Sequence, residues 1–141
     1  RLKRTIPDVI DRICFVSRRD GEGFARLLGT CDVMLDPIHF GGGNTTYEAL
    51  ALGLPIVTLP GIFMRGRVTL GCYKTLGILD AVATTREEYI ELALLFGTKT
   101  KVRQNLTKRL LAKRSKLYES VTVIKAWTDY LKDAGRRARK D

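Results

Sequence analysis

The sequence predicts an α/β domain, a doubly wound parallel sheet, and three observations carry that prediction. Short apolar runs alternate with segments of helical spacing, the runs are apolar nearly throughout, and glycine- or proline-containing loops close them. Alternating strands and helices build parallel sheets, and a strand apolar on both faces is covered on both. In such folds ligands bind beyond the carboxyl ends of the strands. The loops after Asp36 and after Leu59 are therefore where a site is expected.

The elements follow in order. Arg12-Ile13-Cys14-Phe15-Val16 and Asp32-Val33-Met34-Leu35-Asp36 read as strands. Between them Phe24, Leu27 and Leu28 fall at i, i+3 and i+4, the spacing of one helix face. Thr45 to Leu52 reads as a helix stopped by Gly53, with Pro55 just beyond. Ile56 to Leu59 is a third strand, closed by the Pro60-Gly61 turn. Arg67 to Leu76 reads as a helix ending at Gly77, and Leu79 to Ala83 as a short strand. Thr85 and Glu88 form a capping box for a helix whose Tyr89, Leu92, Ala93 and Phe96 share a face. Two further helices span Lys101 to about Ala134, joined near Glu119-Ser120, and Gly135 to Asp141 is expected to fray.

Composition narrows the function classes. The chain has 141 residues, 45% hydrophobic and 28% charged, enough for one packed domain and unlike a disordered segment. The formal net charge of +10 is uneven: residues 1–98 hold 11 basic and 11 acidic side chains, residues 99–141 hold 14 and 4. The longest uncharged run, Ala49 to Met64, has 16 residues and is broken by glycine and proline, short of the ~20 that a membrane span needs. Cys14, Cys31 and Cys72 are odd in number and lie far apart, and with a single histidine they complete no zinc set. Buried, reduced thiols are the expectation, which fits a cytoplasmic location. The chain opens on Arg1 rather than Met, as a fragment of a longer protein would.

The segment that carries chemistry is Phe40-Gly41-Gly42-Gly43-Asn44-Thr45-Thr46-Tyr47-Glu48, between a strand and a helix. Glycines let backbone approach a ligand closely, and the first free N–H groups of a helix favour an anion. With hydroxyls from Thr45 and Thr46, the chemistry is that of diphosphate binding. Glu48, read as lying in the first turn, is placed to accept ribose hydroxyls; the alternative is an acid that complements the helix dipole. A structural turn with Asn44 or Thr45 as N-cap is the competing reading of the loop. Arg65 and Arg67 place two cations where a leaving nucleoside diphosphate needs neutralising. Arg67 has no evident structural benefit there, because a cation at a helix N-terminus opposes the dipole.

The run Asp32 to Pro37, with Glu48-Ala49-Leu50-Ala51-Leu52-Gly53-Leu54-Pro55-Ile56-Val57-Thr58-Leu59-Pro60-Gly61 and then Arg67-Val68, resembles the nucleotide-sugar half of GT-B glycosyltransferases. It is most similar to the O-linked N-acetylglucosamine transferase and SPINDLY-like group, glycosyltransferase family 41. The resemblance implies a Rossmann-like lobe over residues 1–98, N-terminally incomplete, with basic helices over 99–141 packed on it. It implies that Gly42, Gly43, Asn44, Thr45 and Thr46 meet the donor diphosphate and Glu48 the ribose. The family's Asn-Gly-His-Thr-Thr is replaced here by Gly43-Asn44-Thr45-Thr46, without the histidine; His39 either supplies that function or caps the strand. The family's base-contacting Lys and His align with Gly21 and Phe24, leaving Ser17, Arg18 and Arg19 as alternatives.

The function this implies is donor binding for sugar transfer from a nucleoside-diphosphate sugar, UDP- rather than GDP-linked, to an acceptor hydroxyl on protein or glycan. No permanent cofactor and no protein-held metal are expected, and the isolated chain is expected to be inactive. The implied partners are an amino-terminal GT-B lobe and TPR helices. Two other classes stay open: a non-catalytic interaction domain that keeps only the fold, and a nucleic-acid-binding module using the basic tail. Against the latter, Leu106, Leu110, Leu111, Leu117 and Tyr118 fall at helical spacing and are expected to pack on the body, leaving Lys and Arg on the wet side. Trp127, Tyr130 and Leu131 form a face on the last helix that is left exposed if its partner is absent.

Overall fold

In a computed structural model, which describes residues 1–138, β1 (Met34–Leu35) and β2 (Ile56–Val57) run parallel, with Met34 opposite Ile56 and Leu35 opposite Val57. Beyond β2, Thr58 forms a single parallel bridge with Val82, where its N–H donates to the Ala81 carbonyl at 3.0 Å and its carbonyl accepts from Ala83 at 2.8 Å. β2 is thus central, and Ile56, Val57 and Thr58 are buried. The architecture is mixed α/β, mostly helical, with a small parallel sheet. The extended doubly wound sheet expected from the sequence is not found among the described residues.

The helices cover this sheet. α1 (Leu2–Thr5) and a 3-10 turn over Pro7–Arg12 open the chain, and α2 (Gly21–Thr30) precedes β1. α3 (Asn44–Ala51) joins β1 to β2, and α4 (Val68–Leu76) leads on to the bridge. α4 stops at Gly77, whose φ of 65° is the left-handed conformation that ends helices. Tyr73 on α4 braces β2: its hydroxyl accepts from the Ile56 N–H at 2.8 Å and donates to the Ile56 carbonyl at 2.9 Å. In α5 (Arg86–Thr98) the Thr85 hydroxyl accepts from the Glu88 N–H at 3.1 Å. Glu88 reaches one residue further back than a capping box requires, taking both the N–H and the hydroxyl of Thr84 at 2.6 Å. Phe96 is buried on the α5 face the spacing predicted, with Tyr89 and Leu92 packed beside it.

α6 (Thr100–Lys113) and a 3-10 turn (Arg114–Leu117) join the same core, since Leu106 and Leu110 are buried in one cluster with Leu50, Ile56 and Tyr73. Fully burying such an aliphatic side chain is worth about 1.5–3 kcal/mol. Arg114 donates to the Ala51 carbonyl at 2.6 Å and Tyr118 to the Tyr47 carbonyl at 2.6 Å, tying the turn and the residue after it to the end and the middle of α3. Gly53, at φ 73°, lies so close to α6 that a Cβ there would stand 2.7 Å from Leu111.

Four expectations are corrected. Arg12 to Val16 is not a strand, because no neighbour pairs with it and an apolar run becomes a strand only against a partner. Cys14, on that unpaired segment, is exposed. Cys31 is exposed too, because α2 ends one residue before it and turns its thiol toward the Leu27 carbonyl. Finally, α7 (Val121–Arg137) follows Glu119, at φ 53°, and continues through Gly135 rather than fraying there; residues 139–141 of the predicted frayed end lie outside the described residues. α7 buries none of its residues, and Trp127, Tyr130 and Leu131 are exposed on one face.

Candidate functional site

The glycine loop is built around a buried carboxylate. Asp36 directly follows β1, is 2% exposed, and accepts from the Gly42 N–H and from the Thr58 hydroxyl, each at 2.8 Å. Its backbone carbonyl accepts from the Tyr89 hydroxyl at 3.1 Å. One side chain therefore joins β1, β2 and the glycine loop, while its backbone reaches α5. Gly41 and Gly42 are required by close approach: a Cβ on Gly41 would stand 2.9 Å from the Asp36 carboxylate, and one on Gly42 2.6 Å and 2.7 Å from the Thr46 and Thr45 hydroxyls. A Cβ on Gly43 would meet open space.

Gly43 is the N-cap of α3, and no side chain caps that end. The competing reading, with Asn44 or Thr45 as N-cap, is not what the backbone adopts. The Gly43 carbonyl takes the N–H groups of Thr46 and Tyr47, leaving those of Asn44 and Thr45 without a backbone acceptor among the described residues. These are the groups that hold an anion at a helix start. Asn44 is exposed and Thr45 half-buried beside them. Thr46 differs: it is buried, and its hydroxyl pairs at 3.0 Å with that of Thr69 on α4. Glu48 is the fifth residue of α3, past the first turn, and exposed, so it does not complement the dipole as the alternative reading required.

The cations lie on the neighbouring loop. The Gly41 N–H donates to the Arg65 carbonyl at 2.8 Å, which joins the glycine loop to the 3-10 turn Met64–Gly66. The Arg65 guanidinium stacks 4.6 Å above the Phe63 ring. Arg67 is the N-cap of α4 and donates to the Gly61 carbonyl at 2.7 Å. That bond gives Arg67 the structural benefit the sequence did not reveal, since it pins the Pro60-Gly61 turn. His39 and Arg65 line one cleft of about 250 Å³ with Gly61 and Ile62; His39 is exposed.

Arg18 and Arg19 are exposed on the segment before α2 and form no ion pair among the described residues. Among the described residues no side-chain hydrogen bond or ion pair joins them to the glycine loop. Gly21 is the first residue of α2, with Asp20 as its N-cap accepting from Gly23 at 2.8 Å, and Phe24 packs on the core. Behind the site, burial pushes the Cys72 thiol up, and the neighbouring thiol and burial raise the Tyr47 phenol as well. Cys72 is thus a packed, protonated thiol. Among the described residues no group of three or more His, Cys, Asp or Glu is placed to hold a metal, and no helix is long and apolar enough to cross a membrane.

The known proteins to which this chain is similar are glycosyltransferases. The chain is 35% identical over 75 residues to a probable UDP-N-acetylglucosamine–peptide N-acetylglucosaminyltransferase SPINDLY of Petunia hybrida, a match covering 53% of this chain and 8% of that protein. It is 28% identical over 125 residues to the UDP-N-acetylglucosamine–peptide N-acetylglucosaminyltransferase of Giardia intestinalis, covering 87% and 8%. Against a UDP-glucose:protein N-beta-glucosyltransferase of Actinobacillus pleuropneumoniae the identity is 29%, covering 62% and 14%. A mutant O-GlcNAc transferase of Thermobaculum terrenum superposes with a TM-score of 0.74 at 31% identity, over 90% of this chain and 24% of that one. The chain thus spans about a tenth to a quarter of the proteins it matches. The model of glycosyl transferase family 41 matches residues 3–129, and the chain belongs to that family.

Proposed function

We propose that this chain forms the donor-binding part of a glycosyltransferase that moves a sugar from a nucleoside-diphosphate sugar to an acceptor hydroxyl on a protein. The observation that carries the reading is the uncapped start of α3, reached through a glycine loop that Asp36 holds in place. UDP is favoured as the nucleotide, and a protein as the acceptor, because the three relatives above are named for a UDP-sugar and for a peptide or protein.

In the reaction the acceptor oxygen bonds to the anomeric carbon. The bond from that carbon to the β-phosphate oxygen breaks, and its electron pair leaves with the nucleoside diphosphate. Charge grows on the leaving group, and preorganised donors stabilise it most in the transition state. The N–H groups of Asn44 and Thr45, the Thr45 hydroxyl, Arg65 and Arg67 supply those donors. Thr46 supports them from behind through Thr69. Glu48 accepts ribose hydroxyls, and His39 donates to the diphosphate from the cleft it shares with Arg65. Arg18 and Arg19 reach the base only if their segment folds over the donor. The acceptor's proton passes to a base on an amino-terminal lobe, so the 141 residues alone bind donor without transferring sugar. TPR helices are a further partner in the whole protein.

Calorimetry of the chain with UDP, GDP and UDP-N-acetylglucosamine tests this reading. Both uridine ligands are expected to bind more tightly than GDP. Gly42→Ala, which forces a Cβ onto two threonine hydroxyls, is expected to weaken them about tenfold, a loss of ~1.4 kcal/mol. No heat with any nucleotide, or unchanged binding in both Gly42→Ala and Glu48→Ala, would overturn it.

A further inference from the structure

Outside the glycine loop, a groove that combines apolar walls with charge lies between α5 and α6. This groove has a volume of about 530 Å³ and shares no residue with the donor site. Phe96 and Leu106 floor it, and Leu95 and Val102 wall it. Along its α6 edge stand Lys101, Asn105 and Arg109, at i, i+4 and i+8. Arg109 is held by two hydrogen bonds to Asp80, the outer at 2.9 Å. Lys101 and Asn105 have no side-chain partner among the described residues.

Three further facts define what the groove suits. No acidic residue lies between Glu91 and Glu119, while eight Lys and Arg do, so the α6 side of the groove is basic, and Asp80 on its lining is paired with Arg109. Of these eight, only Arg103, with Asp32, and Arg109, with Asp80, form ion pairs among the described residues. Lys101 also sits in the first turn of α6, where there is no acid and where the dipole disfavours a cation. A charge kept at an unfavourable place beside an apolar groove is accounted for by a ligand that needs it. Spacing selects the ligand's form. Residues four apart on a helix rise about 6 Å, and alternate residues of an extended chain about 6.6 Å. A peptide laid along α6 therefore sets every second side chain against the Lys101–Asn105–Arg109 row.

We propose that the groove between α5 and α6 docks an extended, acidic peptide segment of a partner protein, with carboxylates facing Lys101 and Asn105 and apolar side chains over Phe96 and Leu106. A polyanion read by charge alone would not use the apolar floor, and the groove offers no exposed aromatic ring for nucleic-acid bases to stack on.

The test is fluorescence anisotropy of the full chain with a labelled peptide alternating Glu and Leu, beside the same peptide with Ser for Glu. The acidic peptide is expected to bind at least tenfold more tightly. Lys101→Glu should lower its affinity at least tenfold while raising the melting temperature, because Glu suits that helical turn; loss of binding then cannot be loss of fold. Val102→Ser should weaken binding several-fold, and both variants should leave UDP calorimetry unchanged, which separates this site from the donor site. Equal binding of the two peptides, or a Lys101→Glu or Val102→Ser variant that binds like the parent, would overturn the proposal. So would duplex DNA or phosphatidylserine vesicles binding through Lys101 more tightly than the acidic peptide.

Discussion

Asp36 shows how much of the site hangs on one side chain. Its carboxylate satisfies the Gly42 N–H and the Thr58 hydroxyl in a buried setting. Asp36→Ala leaves both donors orphaned, and hydrogen bonds to a charged group are each worth about 1.5–3 kcal/mol. Urea denaturation of Asp36→Ala should show a loss of about 3 kcal/mol, together with weakened UDP binding because the glycine loop is released. Tyr73 is the second such residue, since its hydroxyl replaces a strand partner for both polar groups of Ile56. Tyr73→Phe removes two neutral hydrogen bonds, each worth about 0.5–1.5 kcal/mol, and should cost about 2 kcal/mol. Burial pushes the Tyr73 phenol well above the ordinary tyrosine range. Its folded pKa exceeds its unfolded one, so its contribution is complete below about pH 10 and declines above it as the unfolded chain ionises, at about 1.4 kcal/mol per pH unit. Alkaline titration of stability should therefore be shallower in Tyr73→Phe than in the parent.

At the scale of elements, the parts legible in the sequence are those fixed by local chemistry. α4 ends at Gly77, α5 begins at Thr85, and the last two helices divide beside Glu119 and Ser120; each boundary is a cap or turn whose residues lie within one helical turn of it. The elements that long-range pairing decides were not legible. Ile13 to Val16 has the composition of a strand and no partner, and Asp36 finds Thr58 22 residues away. Within the site, Gly42, Gly43 and the threonines were visible as a motif, but the inward turn of Thr46 toward Thr69 depends on α4 packing beside α3. Likewise the structural benefit of Arg67 was not legible, because its acceptor, the Gly61 carbonyl, is set by the fold of the loop. Of the α6 leucines that spacing places on the body, Leu106 and Leu110 are buried, whereas Leu111 is exposed. Leu110→Ala should destabilise the chain by about 2–5 kcal/mol in thermal or urea unfolding, which would show that the basic helix is part of the core.

Over the whole molecule, charge and binding chemistry are separated. The neutral first 98 residues hold the glycine loop, and the excess of +10 lies beyond residue 98; eight of its Lys and Arg fall between residues 99 and 116, on and beside α6, which nonetheless shares the core through Leu106 and Leu110. The basicity is thus a property of the surface opposite the buried face of α6, and the ligand of the glycine loop is read from the start of α3. The most direct measurement of that assignment is a titration of the isotope-labelled chain with UDP-N-acetylglucosamine, followed by backbone amide shifts. The expected result is that the largest shifts fall on Gly42 to Thr46 and on Gly61 to Arg67, with Lys101 to Arg109 unmoved. Saturable binding whose shifts fall elsewhere and spare Asn44 and Thr45 would contradict the account.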